Sequence, residues 1–422
     1  MTTATIEIES PLSRLSDEQI EALGHEFDAI RDHVRADLGE RDRRYIESMI
    51  AMHRRLATVS RLLLLASNNL PARAAGTVAL GASKILENME IGHNVLHGQW
   101  DWMNDPRINS STWDWDTAST AEAWKHSHNY VHHTFTNIRG KDKDLGYEIM
   151  RIDPEQPWHP VYLLQPFYNL LLMAFFEWGV ALHDMDYEAI RKGEKSKAEV
   201  NRQVKGIIGK AKSQVVKDYI AWPLLSGLAT AGVDLALESV ADRREPGRRH
   251  RRGGLAGSLR RSLDKGARAA RKTAKANATA NVARNVWAYA IIFCGHFPDQ
   301  TYTFSQAEVE DESPGGWYVR QLSGSANIEG GPFFHVASGN LGFQVEHHLF
   351  PDLPSTRYAE IAPQVKDICE RYELPYNSGP FMQQLGMVQR TILRLAFPGG
   401  QHRPKPGPYR RESARVVSTS SP

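Results

Sequence analysis

The 422-residue sequence predicts an all-α fold, an integral membrane helical bundle of about four spans with a cytoplasmic helical cap. Three observations carry this prediction. Several apolar stretches approach the ~20 residues needed to cross a hydrocarbon core of ~30 Å. Other segments repeat apolar residues at helical spacing and begin on capping residues. Histidines recur four residues apart, which puts two side chains on one helix face, one turn apart.

Taken in order, residues 1–15 are expected to fray. Ser16-Asp17-Glu18-Gln19 has capping-box spacing and opens a polar helix with Ile20, Leu23, Phe27, Ile30 and Val34 on one stripe, stopped by Gly39. Helical patterns over 44–66 and 72–98, joined by a turn at Asn68, Asn69 and Pro71, read as a spanning hairpin, weakened by Arg61 and Lys84. Further apolar candidates are 161–182, 219–240 and 279–297, the last interrupted by Arg284. Core helices of a soluble protein are the alternative for each. Residues 183–217 are Lys-rich. Residues 242–275 hold RREPGRRHRRGG and LRRSLDKGARAARK and read as a disordered basic insert, with anionic lipid as the functional option. No aromatic residue interleaves with that charge, which argues against nucleic acid. Ser355 is placed to cap a helix through about Arg371. From Phe397 the chain is rich in Pro, Gly, Arg and Ser. The organisation expected is a polar helical segment at 1–44, a membrane-embedded domain at 45–385 and a mostly disordered tail at 386–422.

Composition sets bounds. Lys and Arg total 51 against 49 Asp and Glu, too balanced for a global nucleic-acid partner. A mean hydropathy of −0.45 excludes a mostly lipid-buried protein but allows a few spans beneath a large polar cap. Two cysteines, Cys294 and Cys369, make no disulfide framework and fit a reducing compartment. The first residues, MTTATIEIESPLSRLSDEQ, lack the basic and apolar regions of a secretory signal.

The chemistry lies in three clusters: His93-Asn94-Val95-Leu96-His97, His128-Asn129-Tyr130-Val131-His132-His133 and Gln344-Val345-Glu346-His347-His348. A lone HxxxH most often marks packing histidines. Seven of 17 histidines in three such clusters is a different signal. Imidazole suits zinc, copper, iron and nickel, and seven are too many for one tetrahedral zinc, so the clusters point to two metals.

The flanks GHNVLHGQWDWMND, HNYVHHTFTN and FQVEHHLFPDLPS resemble the membrane-bound fatty-acid desaturase family, its bacterial acyl-CoA branch above all, over roughly residues 45–385. The resemblance implies two iron ions, O2 as co-substrate, and a cis double bond introduced into a long-chain fatty acyl-CoA. Taking two hydrogens from an unactivated methylene pair needs an oxidant that side chains do not provide. With no flavin, iron–sulfur or haem module legible in the chain, electrons are expected from an external NAD(P)H-dependent reductase, ferredoxin-reductase-like or of a flavin/Fe–S type. The resemblance also implies the cytoplasmic membrane, with the active site facing the cytoplasm.

The implied ligands are His93, His97, His128, His132, His133, His347 and His348. His296 joins them because the family places an additional ligand on its last span, although Ile292 stands where some relatives carry Asn. Gln344 stands where some relatives carry histidine and is expected to ligate weakly or through water. Glu87, Glu90, Asp144 and Glu346 are candidates to orient imidazole N–H groups; each alone also reads as an ordinary salt-bridge residue. Met89, Trp100 and Trp102, with Trp113 and Trp115, are candidates for an acyl tunnel or, equally, for core or interface belt. His126, His159, His183 and His335 have no cluster context. Clusters two and three must share one side of the membrane, so one of the three apolar stretches between them does not cross. Charge favours 279–297 and the resemblance favours 161–182, which is adopted. Two rivals remain: a hydroxylase or other oxygenase on the same scaffold, distinguished by its product, and a non-catalytic zinc-binding membrane scaffold, distinguished by its metal.

Overall fold

Helix α1 (Asp17–Ala36) starts at the predicted capping box: Ser16 Oγ accepts from the Gln19 N–H, and Gln19 Oε1 accepts from the Ser16 N–H. A computed structural model describes residues 10–245, 250 and 253–400; residues 1–9 and 401–422, expected from the sequence to lack order, lie outside them. The helix ends at Ala36, before Gly39, which instead precedes the next helix and donates its N–H to Asp42. Leu23, Phe27, Ile30 and Val34 bury against Tyr318, Val319 and Leu322, which lie within a later helix (Pro314–Ser323).

The spine of the molecule is two helical hairpins packed together. Helices α2 (Glu40–Leu65) and α3 (Leu70–Ile85) form the first. In the second, a helix (Lys197–Val215) runs through a π-helical turn, Val216–Ala221, into a longer one (Trp222–Arg244). That helix packs against the 43-residue helix Gly254–His296, which also packs on α3. Between the hairpins the chain forms Ala121–Trp124 (α4), Gln165–Ala174 (α5) and Phe176–His183 (α6). Lys197–Val215 is therefore α7, Trp222–Arg244 is α8, Gly254–His296 is α9 and Pro314–Ser323 is α10. Helices α11 (Gln344–Leu349), α12 (Tyr358–Arg371) and α13 (Phe381–Leu395) follow. Among the described residues the strands are a short parallel pair, Asn327–Glu329 with Ser378–Pro380.

Three expectations are corrected. Residues 254–275, read as a disordered basic insert, are the first half of α9. The sequence hid this helix because its buried stripe is made of small residues, Ser258, Ser262, Gly266, Ala269 and Thr273, lying between arginines and lysines. The stripe lets two backbones meet: a Cβ on Gly266 would lie 2.6 Å from the Gly227 carbonyl oxygen of α8. Second, α13 continues to Leu395 and buries Gln384, Val388 and Ile392, so the chain from 386 to 395 is not tail. Third, Ser355 does not cap α12. It opens a 3₁₀ turn, Ser355–Arg357, and its hydroxyl donates to Glu90.

The stretch 161–182 is interrupted. A 3₁₀ turn, Pro160–Leu164, leads into α5, and Phe175 (φ −119°, ψ 33°) breaks α5 from α6. At 10 residues, α5 reaches about 15 Å, half a hydrocarbon core. Among the described residues, one continuous helix, Lys197–Arg244, is long and apolar enough to cross a bilayer.

The interior of the bundle sets buried polar ties beside a small apolar cluster of Leu64, Leu80, Ala276 and Ala280. Thr273 Oγ1 donates to Ser226 Oγ (2.9 Å), and Ser67 Oγ donates to the Ala269 carbonyl (2.9 Å). One level nearer the metal centre, Asp218 of the π-helical turn receives Arg61 of α2 (2.6 Å) and Lys84 of α3 (3.0 Å), so the two cations that weakened the hairpin reading are buried partners of one carboxylate. Arg284 of α9 pairs with Glu177 of α6 in the same way. Removing one partner of such a buried pair costs about 3–5 kcal/mol.

Deleting residues 254–274 should abolish folded protein, seen as loss of the monodisperse peak in detergent chromatography. Replacing Gly266 with Leu should destabilise by about 1–3 kcal/mol through overpacking, read as a lower thermal midpoint. Ala267→Leu, on the exposed side of the same turn, should leave the midpoint unchanged.

Candidate metal centre

Both helices that carry the first two clusters change pitch before they deliver them. Beyond Ile85, α3 continues as π-helix from Leu86 to His93 and then as Asn94–Leu96, which brings in His93 and His97. Beyond Trp124, α4 continues as π-helix from Lys125 to His132 and then as His133–Phe135. Such stretches recur at functional sites. Helix α11 supplies His347 and His348, and α9 ends on His296.

The eight imidazoles converge in two groups. Ligating nitrogens of His93, His97, His128 and His347 lie within 4.8 Å of one another, as do those of His132, His296 and His348. His133 sits between the groups, stacked on His348 with centroids 4.4 Å apart and 4.9 Å from His347. Several of the ring nitrogens are buried and without hydrogen-bond partners: Nε2 of His97, His128, His132 and His347, Nδ1 of His296 and both nitrogens of His133. Nε2 of His296 and His348 face each other at 3.2 Å. Buried polar atoms are rarely left unpaired. Ligating nitrogens gathered in two clusters fit two cations, and an all-imidazole donor set suits zinc, copper, iron or nickel. Gln344 Nε2 lies 3.0 Å from His296 Nε2, and its Oε1 is buried without a partner.

The opposite ring nitrogens are held from behind. His132 Nδ1 donates to Asp142 (3.0 Å), His128 Nδ1 to Asp144 (3.3 Å), His348 Nδ1 to Gln321 (2.9 Å), His347 Nδ1 to the Tyr358 hydroxyl (3.2 Å) and His93 Nδ1 to Asn94 (3.0 Å). These bonds fix the tautomer that leaves Nε2 free for metal. Burial, with the neighbouring imidazoles, holds His97, His133, His347 and His348 well below the usual histidine range, so they stay neutral. At His132 burial acts the same way but is outweighed by Asp142 and Asp144, which raise it.

Of the four carboxylates singled out in the sequence, Asp144 reaches an imidazole of the centre. The hydrogen bonds of the others go elsewhere. Glu90 receives Tyr45 (2.8 Å) and Asn340 (3.0 Å), Glu346 receives Tyr376 (2.7 Å) and Asn327 (2.9 Å), and Glu87 receives the Asp116 N–H (3.0 Å). Burial pushes Glu346 up to about 7. Sequence reasoning passed over Asn94, Asp142, Gln321 and Tyr358; the Lys141-Asp142-Lys143-Asp144 run beside cluster two was the one available signal. It also passed over His183, whose Nε2 lies 2.9 Å from Asp144. Burial alone would depress His183, yet Asp144 raises it to about 9. His126 is exposed, His159 accepts the Val161 N–H, and His335 stacks on Phe343.

A cavity opens beside His93 and His128, walled by Met89, Trp115, Tyr147, Phe176 and Ile292. Met89 and Trp115 thus line it. Trp100 and Trp102 belong to a separate core with Ile46 and Ile91, where Trp100 is fully buried and stacks on Tyr45.

Residues 69–234 and 273–380 match the fatty acid desaturase family. The chain belongs to this family. A desaturase of Mycobacterium tuberculosis named NADPH-dependent stearoyl-CoA 9-desaturase is 43% identical over 386 residues, 92% of this chain and 82% of that protein. The sn-1 linoleoyl-lipid 6-desaturase of Synechocystis is 25% identical over 74% of this chain and 76% of its own. Human fatty acid desaturase 3 matches at 38% identity over 21% of this chain and 20% of its own. No solved structure matches.

For this desaturase, Asp142→Asn should keep the fold and lower iron affinity by about 10–100-fold, as loss of an outer carboxylate does elsewhere. His296→Gln should lose iron at least as far as His132→Ala, while His126→Gln stays at wild-type content. Metal analysis of the purified variants checks both.

Proposed function

We propose that the chain is a membrane di-iron acyl-CoA desaturase that introduces a cis double bond into a long-chain fatty acyl-CoA. The observation that carries this reading is the pair of imidazole groups sharing His133, the first of which borders a largely apolar cavity at His93 and His128. His93, His97, His128 and His347 would hold one iron; His132, His296 and His348 the other, with His133 between them and Gln344 beside His296. Bound there, the irons supply O2 activation strong enough for an alkyl C–H bond.

The chain's own residues do the rest. Asp142, Asp144, Gln321, Tyr358 and Asn94 lock the rings. Met89, Trp115, Tyr147, Phe176 and Ile292 exclude water and present one methylene pair to the face formed by His93 and His128. Two hydrogens leave the acyl chain, two electrons and two protons come from outside, and O2 leaves as two waters. The electrons require an NAD(P)H-dependent reductase of flavin or iron–sulfur type, in keeping with the name of the mycobacterial relative. An acyl-CoA substrate and an NAD(P)H-dependent electron source support a site on the cytoplasmic side of the cytoplasmic membrane, with the α2, α3, α8 and α9 bundle, the four helices expected as spans, as the part that meets lipid.

The test is product analysis in a host that lacks the activity and co-expresses a mycobacterial-type reductase. A new cis-alkene among the C16–C18 acyl chains is expected, with no oxygen atom incorporated from labelled O2. A hydroxylated product would identify an oxygenase instead, and zinc without oxygen uptake would identify a scaffold.

A further inference from the structure

Five of the chain's ten tryptophans fall between residues 100 and 124. Trp124 is the one against the metal centre. Its indole stacks on the His128 ring, centroids 4.6 Å and planes 23° apart, and meets His93 and His97 edge-on at 5.4 Å each. It thus touches three of the four histidines of the first group, and it borders the cavity beside His93 and His128. Trp115 follows, buried, with its ring 4.9 Å from that of Trp124. Its Nε1 donates to the Ser119 carbonyl (2.9 Å), a contact that favours positive charge on the indole. Trp113, half-buried, packs on the cluster of Leu96, Trp115 and Trp124 and carries the series to the surface.

Indole is the aromatic side chain that gives up an electron most readily without losing a proton. The other oxidisable ring at a ligand is Tyr358, whose hydroxyl lies 3.2 Å from His347 Nδ1. It is fully buried, and among the described residues its ring meets no aromatic neighbour but His347, so a charge placed there has no onward ring. Tyr147 borders the cavity, but its ring neighbours are Phe176, His183 and Phe293, none of them a ligand. Trp124 is therefore the ring that both touches ligands and leads outward. A centre that activates O2 strongly enough for an alkyl C–H bond also threatens its own imidazoles whenever no methylene pair is in place.

We propose that Trp124, Trp115 and Trp113 form an outward relay for oxidising equivalents, which discharges the centre when O2 is activated with no acyl chain in the cavity. The inference rests on the di-iron reading. Trp124 gives one electron to the oxidised centre, Trp115 refills Trp124, Trp113 refills Trp115, and a thiol in solution refills Trp113. After two passages two thiols have become one disulfide and released two protons to water. These electrons and protons replace those of the methylene pair, so O2 still leaves as two waters. The test uses full-length, iron-loaded protein with a mycobacterial-type reductase and NAD(P)H in air, without acyl-CoA or thiol and with catalase present. Peptide mass spectrometry reads the oxygen added to each residue per O2 consumed. Trp113 should gain oxygen, while Trp317, half-buried in the α1–α10 core, stays unmodified. Trp115→Phe leaves Trp124 on its histidines and should move the added oxygen from Trp113 to Trp124. Trp124→Phe should lower oxidation of Trp113 severalfold and raise it on His93, His97 and His128, with iron lost after fewer O2 consumed. Equal oxidation of Trp113 in the wild type and both variants, or of Trp113 and Trp317, overturns the relay. Oxygen uptake with acyl-CoA but none without it overturns the relay alone; no uptake in either case overturns the di-iron reading as well.

Discussion

The structure depends on holding eight imidazoles close together in a closed interior. Left alone, such a cluster is unstable: six of the rings have a buried nitrogen with no partner, and any proton taken up meets other imidazoles a few ångströms away. Two features make it tenable. The rings are fastened through their far nitrogens to Asp142, Asp144, Gln321, Tyr358 and Asn94, which fixes which nitrogen is bare. The bare nitrogens then await cations, and binding them supplies the interaction that the apo interior lacks.

This arrangement needs a rigid base, because ligands from α3, α4, α9 and α11 come from distant parts of the chain. The base is the set of buried polar ties within the bundle. Asp218 ties α2 to α3 through Arg61 and Lys84, and Glu177 ties α6 to α9 through Arg284. These pairs specify which helices meet and at what register more than they add stability. A purely aliphatic bundle would tolerate sliding by a turn, and a slide of that size in α9 would carry His296 about 5 Å away from His348.

Legibility in the sequence followed the nature of the signal. The ligand histidines were legible because their spacing is helical and their clustering unusual. His296 was not legible from spacing; one histidine on an apolar helix looks like packing, and only the family likeness raised it. The partners of the far nitrogens were mostly missed, since Gln321 and Tyr358 are remote from the clusters and Asn94 is hidden within one. Glu90 and Glu346 drew attention for their nearness in sequence, but helical geometry turns each away from the rings of its own cluster, toward Tyr45 and Tyr376. The first half of α9 is hidden in the sequence because its charge density masks the small-residue stripe running through it.

The π-helical stretches before His93 and His132 carry a broader consequence. A π-helical turn is an α-helix holding one additional residue, and each such insertion rotates everything after it by about 100° about the helix axis. The direction in which a histidine points is thereby uncoupled from the register in which its helix packs. The bundle can drift to suit its surroundings while the metal pocket keeps its aim, or the pocket can be re-aimed by one insertion or deletion without disturbing a single contact lower in the bundle. A scaffold built this way is open to change in two places independently, which suits a family whose members set double bonds at different carbons of different lipids.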